Sequence, residues 1–239
     1  MEMYSLASVL AFFQKGGLFM YPILFVFLAG MAIAIERWIQ LTRIRGLNRK
    51  MWNVLYPLLS SGELEEAQEV IDKDNSTISQ MLGMGLARKG TVRRREDIEI
   101  AMEESMMEII PQLEKRTPYV ALLSNIATLL GLLGTIMGLI EAFTAVANAN
   151  PAEKADLLSA SISVAMNTTA FGLMSAIPLL LFHAKLSSTT GQIIDSLEMA
   201  SVKALNSISN FGRYQPETKI EAAEENRQDF VQAPEPAAG

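Results

Sequence analysis

Hydroxyl side chains recur at helical spacing in two apolar stretches of this chain, where their oxygens could stand in for water around a small cation. In the first stretch Thr135 shares one helical face with Gly131, Gly138 and Ala142, and Gly134 with Gly138 forms a GxxxG pair. In the second, Ser161, Thr168 and Ser175 are spaced by seven and fall on one stripe. Ser159, Ser163 and Asn167 form a stripe beside it, and Thr169 follows Thr168 directly. Two readings fit such a pattern. Small residues let helices approach closely, and each hydroxyl can bond to the carbonyl of its own preceding turn. Alternatively, polar groups at membrane depth face a hydrated path or a polar partner. For the first stretch alone, packing explains the residues as well as a path does. The density of polar residues in the second favours the path.

Glu141 stands six residues past Thr135, on the face of Gly134. A carboxylate at membrane depth must be paired, hydrated or protonated. It belongs either to the outer headgroup layer or to an ion-entry vestibule. The single His183 precedes Lys185 at the end of its stretch and reads as an interface residue, not a ligand. The chain has no cysteine, which excludes disulfides, thiol nucleophiles and thiolate metal ligands. It lacks an HExxH pair, a serine elbow and a phosphate-cradling glycine loop. An enzyme is therefore not expected, nor any cofactor beyond a translocated ion. A net charge of −6 gives no reason to expect a nucleic-acid partner.

The elements that must position these residues are membrane helices. Gly16 to Ile35, Thr117 to Ile140 and Leu157 to Phe182 contain no Asp, Glu, Lys or Arg. Each reaches the roughly 20 residues that cross about 30 Å of hydrocarbon. Arg37, Arg43, Arg45, Arg49 and Lys50 follow the first, Lys115 and Arg116 precede the second, and Lys185 follows the third. The positive-inside rule then puts the N-terminus outside and the C-terminus in the cytoplasm. The first stretch has no basic start and is followed by arginines, so a retained span is expected and not a cleaved leader.

An all-α membrane protein is thus expected, with an outer-face amphipathic segment at 1–15 and spans at 16–39, 117–147 and 157–184. A cytoplasmic helical domain at 40–116, an outer loop at 148–156 and a cytoplasmic helical extension at 185–212 complete it. The acidic, proline-containing tail at 213–239 is expected to be disordered. Ser60 with Glu63 matches a capping box, and Asp74-Asn75-Ser76 can cap the helix after it. Nothing obvious interrupts the pattern from Asp97 into the second span, since a membrane helix tolerates Pro111 and Pro118, so one long helix is expected there. Counted from the outer end of the third stretch, Thr168 and Thr169 lie about 12 residues in, roughly 18 Å and close to the bilayer centre.

Two longer motifs carry a family resemblance. Ile126-Ala127-Thr128-Leu129-Leu130-Gly131-Leu132-Leu133-Gly134-Thr135, continuing to Gly138 and Phe143, is similar to the second span of the ExbB/TolQ/MotA family of ion-driven stator subunits. Thr169-Ala170-Phe171-Gly172-Leu173-Met174-Ser175-Ala176-Ile177-Pro178 resembles the family's TAxGLxxAIP motif, and Glu36-Arg37 also matches. The likeness covers roughly residues 16–205, and three spans fit the ExbB/TolQ branch. It implies a homopentamer in a bacterial inner membrane around a dimer of an ExbD/TolR-like single-span protein, which supplies a transmembrane aspartate. A TonB- or TolA-like adaptor would carry the work onward. By motif, Thr135 and Thr169 would be ion-path hydroxyls, with Gly172 and Pro178 in helix packing; Thr168 joins the path from its stripe. Many ExbB and TolQ proteins carry glutamate five residues before the motif threonine, where this chain has Val164. The resemblance therefore leaves H⁺ and Na⁺ both open.

Overall fold

A computed structural model describes residues 16–87 and 95–213. Among them there are six α-helices and no strand: α1 Met20–Ser61, α2 Leu64–Asp72, α3 Thr77–Ala87, α4 Arg95–Glu114, α5 Thr117–Asn148 and α6 Lys154–Arg213. The expectations for residues 1–15 and for the tail beyond 213 lie outside the described residues. Stretches long and apolar enough to cross a membrane lie in α1, in α4 with α5, and in α6. The chain is an all-α membrane protein with three such segments.

The chain divides into two compact units. The first draws on residues 1–43 and 111–192 and holds the three apolar stretches. Its core includes Ile23, Ala127 and Ala176, with Val26, Leu130 and Phe171 packed against them. The expected single helix from Asp97 into the second span is interrupted at Lys115-Arg116. Arg116 adopts φ 67°, the left-handed region, and α5 restarts with a proline in its first turn. Pro118 has no N–H to give the carbonyl four residues back, and its ring disfavours continued helix before it. Pro111, by contrast, sits inside α4 without ending it.

Two α1 residues hold this break in place. The buried Arg37 donates from its guanidinium to the Leu113 carbonyl, one of the carbonyls that the end of α4 leaves without a helical donor. It also donates to Gln40 Oε1 at 2.6 Å. Arg116 in turn donates to Glu36 Oε1 at 2.5 Å. At the same end, Trp38 and Phe182 stack with ring centroids 5.7 Å apart.

The second unit comprises residues 44–110 and 193–239, of which the described part is helical. Here the expected capping box does not form. Ser60 belongs to α1 and donates to the Tyr56 carbonyl one turn back. Gly62, at φ 83°, turns the chain out of α1, and Glu63 N–H bonds the Leu58 carbonyl at 3.0 Å. That is a Schellman ending, for which Gly62 and not Ser60 was the sequence signal. Leu64, Ala67 and Ile71 of α2, and Ile78, Met81 and Leu82 of α3, are buried.

The Asp74-Asn75-Ser76 expectation matches the structure. Ser76 Oγ accepts from Ser79 N–H at 3.3 Å, and Asp74 Oδ2 accepts from Ser76 N–H at 2.9 Å and Ser79 Oγ at 2.8 Å. Burial pushes the Asp74 carboxyl up, but these bonds, with one from Asn75, together hold it below its ordinary value. A carboxyl lowered by folding stabilises above the unfolded value of about 3.9 and loses that contribution as pH falls through the lowered one. Asp74→Ala is therefore expected to weaken the α2–α3 corner by about 1 kcal/mol at neutral pH. Hydrogen exchange of the α2 and α3 amides reads this. The difference from the parent chain should shrink as pH falls below the carboxylate range; a difference constant down to strong acid would contradict the assignment.

Candidate functional site at the glycine crossing of α5 and α6

The five residues between α5 and α6 return the chain upon itself, and small residues then set the contact rung by rung. A Cβ built on Gly138 would lie 2.9 Å from Ala165 Cβ. One on Gly134 would collide with the Thr168 methyl. Where backbone meets backbone, a Cβ on Gly172 would lie 2.9 Å from both the Ala127 carbonyl oxygen and Gly131 Cα. Position numbers rise on one helix as they fall on the other, so the pair is antiparallel. Ser124 completes the ladder, its hydroxyl donating to the Ala176 carbonyl at 2.8 Å. Ser124 escaped the sequence reading, although it precedes Gly131 by the same seven-residue step that separates Gly131 from Gly138.

The hydroxyls divide into two groups. Thr168 is buried, with Oγ1 2.7 Å from the Gly16 carbonyl and 2.9 Å from that of Val164. It joins α6 to the residues that lead into α1. Ser175 is also buried, beside the core residue Ala176. Thr135 and Thr169 are only half-buried. Thr169 Oγ1 donates across the crossing to the Gly131 carbonyl at 2.9 Å. That carbonyl is also the helical acceptor for the N–H four residues on, which is Thr135. Thr135 Oγ1 itself donates to the Leu132 carbonyl at 2.6 Å. The Thr169 hydroxyl thus shares its acceptor with the Thr135 backbone N–H, while the Thr135 hydroxyl bonds within its own helix. The close approach depends on Gly131, where a Cβ would lie 3.2 Å from Gly172 Cα.

Ser161 and Asn167 are half-buried, and Glu141 is exposed on α5, which continues past it to Asn148. None of the three is hydrogen-bonded to the Thr135–Thr169 pair in the described geometry. Pro178 lies inside α6, which runs on past it despite the missing N–H. Chemically, the crossing offers two half-buried hydroxyls, that of Thr135 bonded within its own helix and that of Thr169 bonded across to α5. Such a cluster can ligate a small cation or pass a proton, and has no nucleophile–base pair for covalent chemistry.

Comparison with known proteins identifies the family. Residues 73–199, more than half of the chain, match the family model described as the MotA/TolQ/ExbB proton channel family. A biopolymer transport ExbB homolog of Methanothermobacter thermautotrophicus is 27% identical over 207 residues, covering 86% of this chain and 70% of that protein. The Tol-Pal system protein TolQ of Haemophilus influenzae is 34% identical over 99 residues, 41% of this chain and 40% of that protein. An ExbB-type biopolymer transport protein of Vibrio cholerae is 47% identical over 57 residues, 24% of this chain and 25% of that one.

Proposed function

Because this chain belongs to the MotA/TolQ/ExbB proton channel family, we propose that it is the stator and channel subunit of an ion-motive-force-driven motor. It sits in a bacterial inner membrane with its N-terminus outside and its C-terminus in the cytoplasm. Five copies surround a dimer of an ExbD/TolR-like single-span partner whose transmembrane aspartate exchanges ions with the hydroxyls of α5 and α6. A TonB- or TolA-like adaptor takes the resulting motion to its load, such as transport across an outer membrane. The observation that carries this reading is the half-buried Thr169 hydroxyl, bonded across the crossing to the Gly131 carbonyl one turn from the half-buried Thr135. The driving energy is sufficient in kind, since one charge moved through 100 mV is worth about 2.3 kcal/mol.

The ion is H⁺ or Na⁺. Val164 occupies the place where many relatives have a carboxylate, and its carbonyl lies against Thr168 Oγ1. Oxygen ligands without a carboxylate can replace the hydration shell of sodium, whereas a hydroxyl and water chain also passes protons to a partner's aspartate.

One observation favours a second reading. The Thr168, Ser124, Thr135 and Thr169 hydroxyls all bond carbonyls of the chain, as they would in a structural scaffold that packs helices and conducts nothing. Native mass spectrometry separates the two readings, with the chain purified in detergent alone and with its co-expressed genomic neighbour. Five copies that take up two copies of a single-span protein are expected. A monomer or dimer that persists across detergents would remove the central path and leave the scaffold.

A further inference from the structure

We propose that the edge of the hydrocarbon layer remote from the basic residues cuts the α5/α6 hairpin at Gly138 and Ala165. Residues 138–164 then stand outside the membrane as a helical spur. Charge marks one edge of the layer on all three helices: Glu36-Arg37 on α1, Lys115-Arg116 ahead of α5, and Lys185 on α6. A 30 Å layer takes about 20 residues from there. Counting them leads from Arg37 to Gly17, from Thr117 to Met137, and from Lys185 to Ala165. These three endpoints were found separately, and the fold brings them to one level. A Cβ on Gly17 would lie 3.0 Å from Val164 Cγ1, and one on Gly138 would lie 2.9 Å from Ala165 Cβ. The Thr168 bond to the Gly16 carbonyl ties the same level together.

The depth counted from the loop, which put Thr168 at the bilayer centre, fares worse. It would bring Gly16 to the centre as well, so that α1, which begins at Met20, would cross less than half of the layer. The revised level puts Thr135 and Thr169 just inside the far edge. Glu141 stands in water about 9 Å beyond Thr135, and Ser159, Ser161 and Ser163 need no membrane path to explain them. This inference rests on the three helices spanning the membrane and not on conduction, so its failure would leave the proposed function standing.

A built-in ruler tests it. Leu122, Leu129, Ile136 and Phe143 are spaced by seven on one face of α5 and are 51%, 62%, 49% and 66% exposed. The chain has no cysteine, so each can be replaced singly by cysteine and spin-labelled without background. In the full chain reconstituted into phosphatidylcholine vesicles, the ratio of oxygen to nickel-chelate collisions reads depth, and contact with another copy lowers both rates together. The oxygen preference should peak at position 129, and the label at 143 should favour the nickel chelate. A label at 143 that favours oxygen, with the peak moved to 136, would overturn the proposed edge.

Discussion

Thr169→Val is expected to lower partner-dependent, ion-driven activity by about tenfold or more while the assembled complex keeps its size. Valine matches threonine in shape, and the Gly131 carbonyl that Thr169 bonds keeps its helical donor from Thr135 N–H. No buried acceptor is orphaned, so the structural cost should stay at or below about 1 kcal/mol. The functional cost differs in kind. A hydrogen bond or ligand interaction with a charged species is worth about 1.5–3 kcal/mol, and each 1.4 kcal/mol is tenfold in rate. Thr168→Val provides the contrast. Its hydroxyl holds the Gly16 carbonyl, so its loss should loosen the residues before α1 and leave the ion step less affected. Ion flux in vesicles, run across sodium concentrations at fixed pH and again with a proton gradient alone, measures the effect and identifies the ion. Full activity of Thr169→Val would remove this hydroxyl from the path, and an absence of sodium dependence would leave H⁺.

The second large effect is structural. Gly172→Ala is expected to destabilise the α5/α6 pair by about 1–3 kcal/mol or more, because overpacking here cannot be relieved by a side chain moving aside. The methyl would meet the Ala127 carbonyl oxygen and Gly131 Cα, both backbone, at 2.9 Å. Separating the helices would also pull Thr169 Oγ1 from the Gly131 carbonyl, so activity should fall with stability. Gly191→Ala on the same α6 is the control. A Cβ there meets nothing within 4 Å, so alanine should stabilise the helix by up to about 1 kcal/mol through propensity alone. Thermal denaturation of the two variants in detergent should therefore shift in opposite directions. Shifts of the same sign would show that the crossing is looser than the geometry requires.

Composition and spacing along the chain set the material and its periodicity. Three uncharged runs had to be membrane helices, since a backbone in hydrocarbon can satisfy its polar groups only within the helix. The seven-residue steps of Ser161, Thr168 and Ser175 had to make one stripe, because 3.6 residues complete each turn. The GxxxG glycines and the Thr169-to-Pro178 motif marked where two helices meet, and the family followed from those residues. What a helical wheel cannot contain is which neighbour a stripe faces. Packing makes Thr168 bond the Gly16 carbonyl while Thr169, one position on, reaches the Gly131 carbonyl. One residue rotates a side chain by about 100° around the axis, enough to carry it from the residues before α1 to α5. Likewise the break at Arg116 depends on Arg37 and Glu36, about 80 positions earlier, whose bonds to Leu113 and Arg116 form only once α1 has packed there. Local composition chose the helices; contacts between residues far apart in the chain chose the partner that each hydroxyl found.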